Sequence, residues 1–149
     1  MLDRPTSPGN LGTAIRSCDA FAVDGVVITG HAVDLYDPKV VRATVGSFFA
    51  VPVVRLPSQH ELLPWLDRLR QKAPDLRIVG TSSSAETSVR DYACEGSRLF
   101  VFGNETLGLS AAYRELCDDV VRIPMAGTAT SLNVSSALSI VLYQAFGGS

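Results

Sequence analysis

The chain has 149 residues, 46% of them hydrophobic and 19% charged, enough for a single domain with a core of its own. That balance excludes disorder and collagen-like repeats, and no run approaches the about 18 consecutive apolar residues of a membrane span. Thirteen Lys and Arg against 15 Asp and Glu leave a net charge of −2, without the basic excess of a free-standing nucleic-acid domain. A local patch or a partner can still supply positive charge.

The start, from Met1 to Pro5, has no apolar signal core, so no secretory leader is expected. Cys18, Cys94 and Cys117 match no zinc or Cys-x-x-Cys spacing, and their odd number argues against a disulfide scaffold. They read as free thiols of a reducing, cytoplasmic compartment. His31 and His60 stand apart from any ligand cluster, so no metal is expected.

In chain order, helical patterns alternate with short apolar runs, the signature of an α/β domain with a mostly parallel sheet flanked by helices. Helices are expected over 11–21, 38–49, 58–72, 110–117 and 131–146, and strands over 25–29, 51–54, 77–80, 99–102 and 120–123. Pro38 sits where a first-turn proline belongs. Ser58 and Glu61 form a capping box, with Leu62, Leu66 and Leu69 at helical spacing behind it. The last helix is the most apolar, with Leu138, Val141, Leu142 and Ala145 on one side.

Three strand exits are rich in glycine or hydroxyl groups: those at Thr81, Gly103 and Met125. Ligands in open parallel sheets sit beyond the carboxyl ends of the strands, so these exits suggest one shared pocket. The plainer reading is three ordinary solvated loops.

Three segments carry chemistry. Asn10-Leu11-Gly12-Thr13-Ala14-Ile15-Arg16 opens a helix, with Asn10 in the role of cap; the plainer reading is a cap plus a surface arginine. Gly103-Asn104-Glu105-Thr106-Leu107-Gly108-Leu109-Ser110 links a strand to a helix capped by Ser110. It has the outline of a P-loop, but Leu109 replaces the phosphate-binding lysine, and no Gly-x-Gly-x-x-Gly occurs elsewhere. A nucleoside triphosphatase and a dinucleotide enzyme are therefore set aside. Ile123-Pro124-Met125 leads through a Gly-containing loop to Ser131-Leu132-Asn133-Val134-Ser135, where Asn133 is unusual inside a first turn unless Ser131 or Asn133 caps.

Taken in order, these segments resemble the three motifs of the SpoU/TrmH family of RNA ribose 2′-O-methyltransferases, in the SPOUT superfamily. Asn10, Gly12 and Arg16 match the first. Gly103, Asn104, Glu105, Gly108, Leu109 and Ser110 match the second. Ile123, Pro124, Met125 and Ser131 to Ser135 match the third. The segment Asp37-Pro38-Lys39-Val40-Val41-Arg42-Ala43 is also similar to the family's helix after the second strand.

The resemblance implies a C-terminal deep trefoil knot, which the general avoidance of threading would not suggest. It implies a homodimer whose active site is completed near the interface, with RNA (tRNA or rRNA) as substrate and S-adenosylmethionine as methyl donor, leaving S-adenosylhomocysteine. On this resemblance Gly103, Ile123 and Leu132 would hold the cofactor, with Thr81, Met125 and Ser131 beside it. Arg16 would act at the hydroxyl, positioned with Asn10, Glu105 and Asn133; Glu105 could instead orient Asn10. The alternative is a binding module for RNA or S-adenosylmethionine that keeps the fold without turnover. Two departures are expected: the strand ahead of the first motif is shortened or missing, and the family's RNA-recruiting N-terminal domain has no counterpart.

Overall fold

The computed structural model describes residues 1–146, Gln59 by its backbone alone. Seven strands and five α-helices follow one another. They are β1 (Leu2–Asp3), α1 (Pro8–Ala20), β2 (Val26–Thr29), α2 (Pro38–Ala43), β3 (Val53–Leu56), α3 (Gln59–Lys72), β4 (Arg77–Thr81), β5 (Thr87–Ser88), β6 (Arg98–Val101), α4 (Ala111–Leu116), β7 (Asp119–Arg122) and α5 (Val134–Phe146). A 3₁₀ turn, Ser47–Phe49, lies between α2 and β3.

All strand pairings are parallel. One ladder runs β1-β2-β3 and the other β5-β7-β4-β6. A parallel bridge from Leu2 to Phe102 joins them, with Asp3 N–H donating to the Phe102 carbonyl at 2.9 Å and Phe102 N–H to the Met1 carbonyl at 2.9 Å. The strand ahead of the first motif is therefore present in shortened form. It sits in the middle of the joined sheet, where two residues suffice because neighbours hold both edges.

Alternation along the strands sends successive side chains to opposite faces. Val26 and Ile28 pack with Leu11, Ile15, Val40, Leu138 and Val141, while Val27 packs with Leu62, Leu66 and Tyr113. Helices α1, α2 and α5 thus cover one face, and α3 and α4 the other. Leu138, Val141 and Leu142 are buried as their spacing predicts. Gly12 lets α1 approach α2 closely, because a Cβ there would collide with Ala43 and the Val40 carbonyl.

Several boundaries differ from the sequence reading. Helix α1 begins at Pro8, with Ser7 Oγ accepting from the Asn10 N–H at 3.3 Å, so Ser7 is the cap and Asn10 lies inside the helix. The helix expected over 38–49 breaks after Ala43, because Val45 (φ 53°) and Gly46 (φ 97°) both adopt left-handed backbone. Pro38 opens α2 as expected, and Asp37 caps it. The last helix starts at Val134 rather than Ser131. Strand β5, two residues long, was not expected.

Candidate functional site

The exits of β4, β6 and β7 do converge on one cavity of about 350 Å³. Thr81, Gly103, Ile123, Met125, Ser131 and Leu132, the six residues proposed from the sequence for the cofactor, all line it. Its volume falls within the range of small-molecule sites.

The β6 exit is shaped mainly by Asn104. Its N–H donates to the Gly108 carbonyl at 3.0 Å and its carbonyl accepts from Gly108 N–H at 2.9 Å. Its Oδ1 accepts from Thr106 N–H (3.0 Å) and Leu107 N–H (3.1 Å), and its Nδ2 donates to the Arg4 carbonyl at 2.9 Å. The tight loop lays the backbone of Gly108 and Leu109 against Gly103, where any Cβ would overlap it. The second motif includes Asn104, and this loop is the role its place there serves. Its signal was the tendency of Asn to bond its own backbone two residues on.

At the lip of the cavity three segments meet. Glu105 Oε1 accepts from Asn10 Nδ2 at 3.3 Å, and Asn10 Oδ1 accepts from Asn133 Nδ2 at 2.9 Å. Asn133 Oδ1 in turn accepts from Ser135 N–H (2.9 Å) and Ser135 Oγ (2.6 Å), capping α5. This explains the residue that looked unusual within a first turn: Asn133 precedes the helix. Glu105 Oε2 accepts from Thr6 Oγ1 at 3.0 Å and Thr6 N–H at 3.4 Å. Thr6 carries no sequence signal for this, because its contact is 99 residues away.

Burial alone would raise the Glu105 pKa, but hydrogen bonds from Asn10, its own backbone and Thr6 outweigh it and hold the carboxyl below its ordinary value. A carboxylate can only accept, so Asn10 must turn its amide nitrogen to Glu105 and its oxygen to Asn133. One charge thus fixes the orientation of both amides.

Arg16 is not brought into this group. Six residues beyond Asn10 on α1, it lies about 120° around the helix axis. It is exposed, and its side chain makes no hydrogen bond or ion pair among the described residues. The described residues contain no group of three His, Cys, Asp or Glu able to hold a metal, and no helix long and apolar enough to cross a membrane.

Comparisons with known proteins agree on one family. The sequence model of the SpoU rRNA Methylase family matches residues 1–143. A 23S rRNA (uridine(2479)-2′-O)-methyltransferase of Streptomyces viridochromogenes is 47% identical over 145 residues, 97% of this chain and 50% of that protein. A 23S rRNA (guanosine(2553)-2′-O)-methyltransferase of Bacillus subtilis is 36% identical over 143 residues, 96% of this chain and 55% of that protein. The crystal structure of the SpoU methyltransferase AviRb from Streptomyces viridochromogenes in complex with AdoMet superposes with a TM-score of 0.93 at 46% identity, covering 98% of this chain and 55% of that one. The chain spans about half the length of the curated relatives it matches.

Proposed function

Because the chain belongs to the SpoU rRNA methylase family, we propose that it carries the methyl-transfer half of an enzyme that moves a methyl group from S-adenosylmethionine to a ribose 2′-hydroxyl of ribosomal or transfer RNA, in the cytoplasm. The observation that carries the reading is the meeting of three strand exits in one cavity, with Asn10, Glu105 and Asn133 bonded in series at its lip.

The cavity suits this donor. Its described lining contains no Lys, Arg or His and a single carboxylate, Glu105, so a positive sulfonium meets no repulsion there. It offers hydroxyls (Thr81, Ser82, Ser131), backbone groups and apolar walls (Leu109, Ile123, Leu132), as an adenosyl group requires. A triphosphate, by contrast, would find no cation. When bound, S-adenosylmethionine supplies an electrophilic methyl on a sulfonium whose departure leaves a neutral thioether. Gly103, Ile123 and Leu132 would hold it through their backbone, with Thr81, Met125 and Ser131 beside them.

The protein's remaining task is to align the ribose oxygen and favour its developing negative charge. Asn10, Glu105 and Asn133 are ordered for positioning, since each already has a fixed partner. Arg16, exposed and unpaired among the described residues, is available for an RNA phosphate and for the oxyanion. A guanidinium stays charged in proteins, so Arg16 stabilises charge, and the hydroxyl proton passes to solvent water as the oxygen–methyl bond forms and the sulfur–methyl bond breaks. The 2′-hydroxyl is what separates RNA from DNA at such a site.

Arg16 lies around α1 from the Asn10 lip, which supports a homodimer in which a second copy helps complete the site. The exposed Ile140 and Tyr143 of α5 are available to such an interface. The knot belongs to the same reading. Strand β7 lies between β4 and β5, so the link over residues 82–86 bridges the strand whose continuation leads to α5.

Calorimetric titration with S-adenosylhomocysteine, followed by nucleoside analysis of RNA incubated with S-adenosylmethionine, tests the proposal. One-per-chain binding and 2′-O-methylnucleosides are expected. Binding without methylated product would mark a non-catalytic module, and absence of both would refute the reading.

A further inference from the structure

An aromatic patch lies outside the cavity. Tyr36 is 72% and Phe49 87% exposed, and half-buried Phe48 stands between them, with ring centroids 5.8 Å from Tyr36 and 5.3 Å from Phe49, both edge-to-face. Exposing such rings forgoes the burial that normally justifies them, so a cluster of this kind marks a binding surface. The rings are also held in place. Tyr36 N–H donates to Asp34 Oδ1 at 3.0 Å, and Ser47 Oγ donates to Asp19 Oδ2 of α1 at 2.7 Å. The turn that presents Phe48 and Phe49 runs through Val45, a β-branched residue in left-handed backbone, which is costly and clusters at functional sites.

The charges around the patch select the partner. Asp34 and Asp37 spend their carboxylates on the turn and on the cap of α2. Lys39 and Arg42 on α2 and Arg55 on β3 are exposed, and no ion pair engages them among the described residues. Rings that can take base faces, beside unspent cations, are the footprint of single-stranded nucleic acid. The surface lies on the same side of the sheet as the helix that carries Asn10, because α2, which links Tyr36 to the Phe48–Phe49 turn, packs on α1 at Gly12, two residues from Asn10.

Resting on the RNA-directed reading above, we propose that Tyr36, Phe48 and Phe49 form a stacking platform for unpaired bases flanking the target nucleotide, with Lys39, Arg42 and Arg55 binding the adjoining phosphates. The preferred substrate is therefore RNA single-stranded beside the modified ribose. The platform reads no base identity, since every base offers a π-face.

The test uses the full chain with a fluorescent mixed-sequence RNA of about 12 nucleotides, single-stranded or annealed, and S-adenosylhomocysteine titrated in parallel. Wild type should prefer the single strand. Tyr36→Leu and Phe49→Leu, which keep apolar bulk but remove the ring, should each weaken single-strand binding about tenfold. Duplex binding and S-adenosylhomocysteine affinity should be unchanged. The double variant Lys39→Gln, Arg42→Gln should flatten the salt dependence. Leucine variants that bind like wild type, a wild type that prefers duplex or binds no RNA, or leucine variants that instead alter the oligomeric state would each overturn the platform. The last result would make the patch an interface between copies. Failure of S-adenosylhomocysteine to bind, with the platform behaviour intact, would sink the methyl-transfer reading alone.

Discussion

Asn133 Nδ2 donates to Asn10 Oδ1 at 2.9 Å across 123 residues of sequence, tying the cap of the last helix to the first turns of the first. Asn133 therefore serves two purposes, and substitutions can separate them. Asn133→Asp keeps an oxygen for the cap but loses the donor to Asn10. Asn133→Ala loses both. The alanine variant should be less stable by about 1 kcal/mol, the usual value of a cap. The aspartate variant should melt closer to wild type yet bind S-adenosylhomocysteine as poorly as the alanine. Denaturation and calorimetry on both proteins check this.

Glu105 ties stability to acid. Its folded pKa lies below the ordinary value, so its contribution is fully present above the unfolded carboxyl's pKa of about 4.3 and is lost as pH falls through the folded pKa. Wild type should exceed Glu105→Gln in melting temperature at neutral pH. The gap should close as pH falls from the ordinary carboxyl range through the lowered folded pKa, where the wild-type carboxyl takes up its proton. Melting curves from pH 3 to 7 measure it. A gap unchanged at acid pH would mean that the carboxylate's charge does not order the lip.

Arg16 offers a way to test whether chemistry can be separated from binding. Its side chain makes no contact that the fold depends on, so Arg16→Ala should melt within about 0.5 kcal/mol of wild type. S-adenosylhomocysteine affinity should be unchanged while methyl transfer falls by at least two orders of magnitude. Equal turnover in single-turnover assays would remove Arg16 from the site.

Gly103 tests the loop. A Cβ at this position overlaps the backbone of Gly108 and Leu109, so Gly103→Ala must move the β6 exit. The expected cost is about 1–3 kcal/mol, as in overpacked cores, or about 3–10 °C in melting temperature. S-adenosylhomocysteine binding should be lost with it.

Much of this was legible in local patterns. Pro38, Ser58 with Glu61, and Ser110 each announced a helix start, because a first-turn proline and a cap both act on near neighbours. The same logic holds at Ser7-Pro8, where proline in a first turn marks Ser7, three residues ahead of Asn10, as the cap. Leu2–Asp3 and Thr87–Ser88 could not be recognised as strands, since two residues have no period and their pairing comes from distant chain. The break after Ala43 was signalled only by Gly46, amid good helical spacing. The convergence of three strand exits followed from topology alone. The Glu105–Asn10–Asn133 series did not, because each bond spans 95 residues or more, and local propensity carries no such information. The exposure of Arg16 was open to a local reading, the surface arginine, since positions six apart do not share one face of a helix.

The placement of β7 has a consequence for how the protein is made. Strands β4 and β5 follow each other in sequence, yet β7 separates them in the sheet. During synthesis their facing edges emerge well before residues 119–122 exist. Until then both edges offer unsatisfied amides and carbonyls to any strand that passes. The sheet can close only after the ribosome has delivered β7, so this protein completes its folding late, and the nascent chain is most exposed to misassociation in the interval between those two events.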